Sequence, residues 1–289
     1  MTPSEQESSI AIDPNIVEIQ PEEIAYPDIK STFMLFLVFV LISLIIGVVV
    51  VILLISITRV NLNSPILKSA LNLVLYIITN SLIINYALRK SKKRQGYFSK
   101  VNFNKIQLWL VPTLIVGTLA LIIPLAQVGD WIPMPKAVQK FFENAFRKDV
   151  FSIITMVIAA PIMEEILCRG IVLKGLLKNY QPQKAILISA VFFGALHLNP
   201  WQAIPAFFGG LFLGWAYYKT QSVIPGMIIH ATINGTAALI LFLPHNKQNL
   251  ITLWGLPYYL IALLLSILVF TSICILIQRK TQINSETLI

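Results

Sequence analysis

The chain is dominated by long apolar runs that are separated by short polar segments. A helix needs about 20 apolar residues to cross the hydrocarbon core of a membrane. Eight runs meet or nearly meet this length, and the fifth and sixth are the shortest. The pattern therefore predicts an all-α fold, a polytopic membrane helical bundle with about eight transmembrane helices, at about 33–58, 66–88, 107–127, 150–173, 184–199, 202–219, 223–243 and 256–278.

The composition agrees with a membrane protein and argues against a nucleic-acid-binding protein. Of the 289 residues, 56% are hydrophobic and only 12% are charged, whereas a soluble domain carries about 25% charged residues. The net charge of +9 comes from short basic clusters between the apolar runs. No basic face interleaved with aromatic residues accompanies it. We therefore expect membrane lipid as a partner, and no nucleic acid.

Polar segments divide the chain into four parts. Residues 1–31 form an acidic polar tail that we predict to be cytoplasmic and disordered, since the first 30 residues hold seven acids and one lysine. Residues 32–147 contain the first three membrane helices and a segment, 136–148, that is predicted to be an interfacial helix. Residues 148–244 hold most of the residues suited to chemistry, and residues 245–289 contain the last helix and a short C-terminal tail.

The distribution of lysine and arginine predicts the orientation in the membrane. The loop after the second helix carries seven basic residues between Arg89 and Lys105. If this loop is cytoplasmic, 14 basic residues lie inside and 7 lie outside, as the positive-inside rule favours. We therefore predict an integral, multi-pass membrane protein with both termini in the cytoplasm.

Three charged residues fall deep inside one predicted helix: Glu164, Glu165 and Arg169. Each costs about 2.5–3.5 kcal/mol at a helix centre on insertion scales. Glu165 and Arg169 are four residues apart, so they lie on one face and can pair. Glu164 points about 100° away, and Pro161 removes a backbone hydrogen bond nearby. The spacing predicts one free carboxylate beside a supporting ion pair.

Two histidines and an asparagine add to this polar set. His197 and His230 fall within the fifth and seventh predicted helices, while His245 is expected in a solvated loop. Phe193 and His197 share a helix face, as do His230 and Asn234, because each pair is four residues apart. At a rise of about 1.5 Å per residue, these groups reach depths similar to that of the free glutamate. We therefore predict one polar cavity near the middle of the membrane.

Two hydrolytic mechanisms suit these groups, and the sequence leaves both open. In the first, Glu164 and His197 hold a water molecule, the carboxylate acts as general base, and His230 and Asn234 donate hydrogen bonds to the oxyanion. In the second, Glu164, His197 and His230 bind zinc, which activates the water. The single-helix zinc motif HExxH is absent. Zinc is thus a candidate cofactor, and the glutamate mechanism requires none.

The same residues form three ordered motifs. Residues 164–169 match EExxxR, residues 193–197 match FxxxH, and residues 230–234 match HxxxN. In this order on successive helices, the motifs resemble those of the CPBP family, which comprises CAAX prenyl proteases and bacteriocin-processing proteins and is also called the Abi domain. The resemblance covers about residues 148–244.

The resemblance implies an intramembrane endopeptidase that acts on a peptide or membrane-protein substrate. Glu164 is implied as the catalytic carboxylate, with His197 sharing the water. His230 and Asn234 are implied as the pair that stabilises the oxyanion. Glu165 completes the catalytic motif.

Two further roles follow from the resemblance, and other function classes stay open. Arg169 is implied to support the acidic pair, and Phe193 to shape the pocket. A membrane scaffold or bacteriocin immunity protein would use the same cavity only for binding. A transporter would use the acids as a cation site, but no internal repeat favours this.

Three expectations concern packing and not chemistry. Gly210 and Gly214 form a small-xxx-small pair, which predicts close approach of the sixth helix to a neighbour. Cys168 and Cys274 lie inside apolar runs, where free cysteines behave as small hydrophobic residues. We therefore expect no disulfide.

Overall fold

The computed structural model describes residues 24–56, 64–130, 132–145, 147–243 and 249–281. Residues 1–23 of the predicted acidic tail, and His245, lie outside these ranges. Within them the chain forms ten helices and no strands, so the predicted all-α class is confirmed. The helices are α1 Ile29–Ser56, α2 Pro65–Gln95, α3 Leu110–Asp130, α4 Lys136–Ala145, α5 Val150–Asn179, α6 Pro182–Ala195, α7 Pro200–Thr220, α8 Ile224–Leu241, α9 Leu250–Trp254 and α10 Leu256–Lys280.

Each of the eight predicted apolar runs corresponds to one of these helices. Among the described residues, six helices (α1, α2, α3, α5, α8 and α10) are long and apolar enough to cross a membrane. Helix α6 is apolar but has only 14 residues. Helix α7 has 21 residues, but its tryptophan, tyrosine, proline and glutamine residues lower its mean hydropathy. Helix α4 occupies the segment that was predicted to be an interfacial helix.

Contacts between helix ends show that α1 runs opposite to α2 and α5. At one end, Arg94 at the end of α2 lies 3.1 Å from Asp28, just before α1. Asn179 at the end of α5 donates a hydrogen bond to the carbonyl of Ala25 at the same end. At the opposite end, Ser69 near the start of α2 donates to Asp149, just before α5. We call the first of these the basic end, formed by residues 24–31, 86–109, 174–184, 217–224 and 277–281.

The core of the bundle lies among α5, α6, α7 and α8. Leu167, Ile171, Leu213 and Ile229 are fully buried there, whereas the long aliphatic side chains of α1 are mostly exposed, as expected of a helix that faces lipid. Two glycines of α7 let it approach α6 closely. A Cβ on Gly210 would lie 3.2 Å from Ala190, and one on Gly214 would lie 3.1 Å from Ile186, which confirms the predicted small-residue packing.

Helix α5 departs from regular α-helical geometry on both sides of the acidic pair. Residues 155–159 and 166–173 are π-helical, and the N–H of Ala160 bonds to the carbonyl of Thr155, five residues earlier. Pro161 follows at once and has no N–H to continue the regular pattern. The backbone disturbance that Pro161 predicted is therefore present as a wide turn, a feature that is frequent at functional sites.

Candidate active site

The two glutamates lie on one regular turn of α5, between its two wide segments. They are neighbours in sequence, yet their side chains reach different surroundings. Glu165 is fully buried, whereas 17% of the Glu164 side chain is exposed. This difference follows from the helical rotation of about 100° between consecutive residues.

Glu165 forms the ion pair that the sequence predicts. Its Oε1 accepts a hydrogen bond from Nη1 of Arg169 at 2.9 Å, and both side chains are fully buried. Arg169 also donates from Nη2 to the carbonyl of Gly210 on α7 at 3.1 Å. Its guanidinium group lies 4.5 Å from the ring centre of Phe193 on α6. Arg169 thus connects α5 to two other helices, which offsets the cost of burying its charge.

His230 of α8 lies between the two glutamates. Its Nδ1 is 3.2 Å from Oε1 of Glu165, and its Nε2 is 4.0 Å from Oε2 of Glu164. An ionised carboxylate only accepts hydrogen bonds, so Nδ1 carries the proton that it donates to Glu165. Nε2 is left facing Glu164. The ring of Phe193 contacts the rings of His230 and His197 edge-on, each at 5.4 Å between centres.

Glu164 has one carboxylate oxygen bonded and one without a partner. Tyr76 of α2 donates its hydroxyl hydrogen to Oε1 at 2.7 Å. Oε2 is buried and has no hydrogen-bond partner in the part of the chain that the structure describes. A buried carboxylate oxygen without a donor is energetically costly. It is therefore a position at which a water molecule or a substrate group would be stabilised.

A cavity of about 410 Å³ opens beside Glu164. His197, just after α6, lines it together with Tyr76. Nδ1 of His197 donates to the carbonyl of Phe193 at 3.0 Å, because a carbonyl can only accept. Its Nε2 is left as the second ring nitrogen. The other lining residues come mainly from α1 and α2: Phe39, Ser43, Ile46, Gly47, Val50, Asn72, Leu75, Thr79, Asn80 and Leu196.

Tyr76 is the site residue that the sequence analysis missed. It lies in an apolar run far from the three motifs, so neither charge nor resemblance singled it out. The sequence of α2 nevertheless contains a pattern that could have identified Tyr76. Asn72, Tyr76, Thr79 and Asn80 are polar residues spaced at four, three and one positions, which places them on one face of a helix. In a membrane span, such a polar face points to a cavity or to other helices.

Asn234 is not brought to the cavity with the other predicted residues. Its Nδ2 donates to the carbonyl of Met156 in the wide segment of α5, at 2.8 Å. It does not line the cavity that holds Glu164 and His197. The wide turn frees the Met156 carbonyl from the regular helical pattern, and the amide of Asn234 satisfies it. In this structure Asn234 therefore joins α8 to α5.

The residues proposed for zinc binding do not form a metal site in this arrangement. Among the described residues, no group of three or more His, Cys, Asp or Glu side chains is placed to hold a metal ion. Glu164 and His230 approach to 4.0 Å, but His197 does not complete a set with them. A zinc site needs at least three protein ligands at about 2 Å from the metal. The described donor set therefore does not fit zinc.

Comparisons with known proteins agree with the motif resemblance. The model of the family described as type II CAAX prenyl endopeptidase Rce1-like matches residues 146–236, about a third of the chain. Comparison with the curated proteins and with the solved structures finds no match. The matched segment runs from the residues just before α5 into α8 and includes all three motifs. The chain is therefore an integral, multi-pass membrane protein whose residues 146–236 are similar to the Rce1-like family, in agreement with the resemblance of its motifs.

Proposed function

We propose that this chain is a glutamate-dependent intramembrane endopeptidase in which Glu164 activates water. The observation that carries the proposal is the position of its carboxylate at the cavity, since Oε2 of Glu165 also lacks a partner among the described residues but Glu165 does not line that cavity. Oε1 is held by Tyr76, while Oε2 is buried, has no partner among the described residues and faces Nε2 of His230. A carboxylate that is fixed at one oxygen and free at the other is suited to act as a general base.

In the first step, a water molecule between Glu164 and His197 attacks the carbonyl carbon of the substrate peptide. Oε2 of Glu164 takes one proton from the water while the new carbon–oxygen bond forms. Nε2 of His197 accepts the second hydrogen of the water as a hydrogen bond, because Nδ1 already carries the ring proton. The two residues thus orient the water towards the carbonyl carbon, which lowers the entropic part of the barrier.

In the second step, the carbonyl oxygen becomes an oxyanion that needs hydrogen-bond donors. We propose His230 for this role, protonated at both ring nitrogens, with Nδ1–H on Glu165 and Nε2–H on the oxyanion. Nε2 lies 4.0 Å from Oε2 of Glu164, so an oxygen on the carbon that is attacked beside Glu164 would come within reach of this ring. Preorganised donors of this kind contribute about 3–4 kcal/mol each to transition-state stabilisation.

In the last step, the tetrahedral intermediate collapses and the carbon–nitrogen bond breaks. Protonated Glu164 returns its proton to the leaving amine, and the carboxylate is restored. No metal takes part in this sequence. Treatment of the purified protein with a strong chelator is expected to leave cleavage unchanged, and metal analysis of the active protein gives a second readout. Loss of activity on chelation that zinc alone restores would contradict the proposal.

The surroundings of the cavity suggest a substrate that reaches the site from the membrane. The cavity is walled by α1 and α2, whose other faces expose large aliphatic side chains. We propose that the substrate is a peptide segment of a membrane-associated protein or precursor. A prenylated C-terminal peptide and a bacteriocin precursor both belong to this class, and the experiment below distinguishes them.

Peptides in membranes that contain the wild-type chain are compared with those in membranes that contain Glu164→Gln at equal abundance. We expect cleavage products in the wild-type sample alone, and their sequences identify the substrate class. A Glu164→Leu variant tests the same role with an apolar side chain that cannot accept a proton. If all three chains give the same peptides and the same phenotype, the chain acts as a binding or immunity protein and the proposal is wrong.

A further inference from the structure

A second cavity, of about 630 Å³, lies at the basic end, between the start of α1 and the end of α2. It is separate from the active-site cavity, and the two share no lining residue. Its lining has two zones. Lys30, Lys90 and Arg94 form a basic part of the lining, and Met34, Leu37 and Leu41 form an apolar part along α1.

Helix geometry explains why each zone is continuous. Lys30, Met34, Leu37 and Leu41 are spaced at four, three and four residues, so they follow one face of α1. Met34 is 47% exposed, Leu37 is 44% exposed and Leu41 is 56% exposed. An exposed aliphatic strip in a membrane-spanning helix contacts lipid chains. Lys30 lies at the end of this strip that faces the lipid headgroups.

The α2 side of the cavity supplies the other cations. Tyr86, Lys90 and Arg94 are each four residues apart and share one face of α2. The ammonium group of Lys90 lies 5.6 Å from the ring centre of Tyr86. The exposed Lys90 and Lys30 have no acidic partner among the residues that the structure describes.

One carboxylate belongs to the same cavity. Asp28 accepts from Nη2 of Arg94 at 3.1 Å, and Ser31 accepts from Nη1 of Arg94 at 3.0 Å. Asp28 therefore neutralises one of the three cations that line the cavity, and a net charge of +2 remains. The Arg94 side chain is held in place by these bonds, while the two lysines stay free to move towards a ligand.

We propose that this cavity binds one anionic phospholipid, with its phosphate between Lys30 and Lys90 and an acyl chain along Met34, Leu37 and Leu41. The charge and the apolar strip are both needed for this assignment. A free phosphate would satisfy the lysines alone, and a neutral lipid would satisfy the strip alone. Basic pockets between membrane helices are a known form of anionic headgroup site.

A bound headgroup would join α1 to α2 at the basic end. Both helices also line the active-site cavity, α1 through Ser43 and Gly47 and α2 through Tyr76. The lipid would therefore hold the wall of that cavity in place. This consequence rests on the proposed function, whereas the binding itself does not.

Binding is measured on the full chain in detergent by native mass spectrometry, with dioleoyl phosphatidylglycerol, dioleoyl phosphatidylcholine and inorganic phosphate as probes. The test variant is Lys30→Gln with Lys90→Gln. The matched control is Lys178→Gln with Lys184→Gln, which removes two lysines from another cavity at the same end. The charge-conserving pair Lys30→Arg with Lys90→Arg completes the set.

We expect the wild-type chain to prefer phosphatidylglycerol, and the test variant to lose about 30-fold in affinity, as removal of two surface cations implies. The control and the arginine pair are expected to bind as the wild type does. Equal loss in the test and control pairs would show diffuse surface attraction and overturn the proposal. Full competition by inorganic phosphate, or the absence of any lipid preference, would overturn it as well. An inactive protease that still shows the expected lipid binding would count against the proposed function and not against this site.

Discussion

The two sides of the acidic pair in α5 show how one short motif serves two purposes. On the closed side, Glu165 is fully buried and bonded to Arg169 and His230. On the open side, Glu164 borders a cavity that Glu165 does not line, although Oε2 of each glutamate lacks a partner among the described residues. The closed side therefore holds helices together, and the open side is suited to chemistry. The position on the helix, and not the residue type, makes this difference.

Substitutions on the two sides are expected to have different effects. Changes on the closed side should lower stability first and activity as a consequence. Changes on the open side should lower activity while the protein stays folded. The predictions below test this separation, from the largest expected effect to the smallest.

Replacing Arg169 by methionine removes the cation of the closed side and leaves Glu165 buried without its partner. Breaking a buried pair in this way costs about 3–5 kcal/mol. We expect a large drop in the thermal unfolding midpoint of the purified protein. Lys178→Met on the same helix, where the side chain is exposed, is the control and should change little. An unchanged midpoint for Arg169→Met would show that the pair does not stabilise the bundle.

Replacing Gly226 by alanine puts a methyl group against the closed side. The new Cβ would lie 2.5 Å from Oε2 of Glu165, which cannot move freely because Arg169 and His230 hold the other oxygen. Overpacking of this kind costs about 1–3 kcal/mol, and we expect both the midpoint and the activity to fall. Gly235→Ala on the same helix meets only Val157 at 3.8 Å. If both variants behave alike, the space beside Glu165 is not critical.

Replacing Tyr76 by phenylalanine removes the donor on the open side and nothing else. A hydrogen bond to a charged group contributes about 1.5 kcal/mol or more, so we expect kcat to fall by about tenfold. KM should change little, because Tyr76 is proposed to fix the carboxylate and not to bind the peptide, whereas the unfolding midpoint should fall slightly because Oε1 of Glu164 loses its donor. Tyr86→Phe, on the same helix but outside this cavity, is the control. A change in KM alone would assign Tyr76 to substrate binding.

Asp149 lies just before α5, outside the membrane-spanning segment, and tests how the start of this helix is stabilised. Its carboxylate caps the helix and accepts from the N–H groups of Phe151 and Ser152 and from the hydroxyl of Ser69. Asp149→Ala should therefore cost about 1 kcal/mol. Asp149→Asn keeps the cap acceptor and should cost less.

Asp149 also predicts the direction in which the stability of the protein changes with pH. Burial raises the pKa of the Asp149 carboxyl, but hydrogen bonds from Ser69, Ser152 and Phe151 outweigh it and hold the pKa below 3.8. A carboxyl with a depressed pKa in the folded state stabilises the protein above its unfolded pKa, and this contribution is lost as the pH falls through the folded value. The midpoints of wild type and Asp149→Ala should differ near neutral pH and converge at low pH. A constant difference would contradict this sign.

Much of the fold could be predicted from the sequence, because apolar length and charge placement act locally. The eight runs and the pairing of Glu165 with Arg169 follow from length and spacing alone, and both are found. Tyr76 and Asn234 show where local rules end. The bond from Tyr76 to Glu164 spans 88 positions, and the use of the Asn234 amide depends on a wide turn in a different helix. A sequence motif describes residues that are close in the chain, so it indicates neither the distance between α2 and α5 nor the shape of the wide turn that Asn234 contacts.

The central claim is that Glu164 reacts and Glu165 supports. Purified Glu164→Gln and Glu165→Gln variants are measured in parallel for peptide cleavage and for thermal unfolding. We predict that Glu164→Gln loses cleavage by about 10²-fold or more with an unchanged unfolding midpoint, whereas Glu165→Gln lowers the midpoint. Cleavage by Glu164→Gln at the wild-type rate would contradict this account, as would a loss of cleavage no larger than its loss of folded protein.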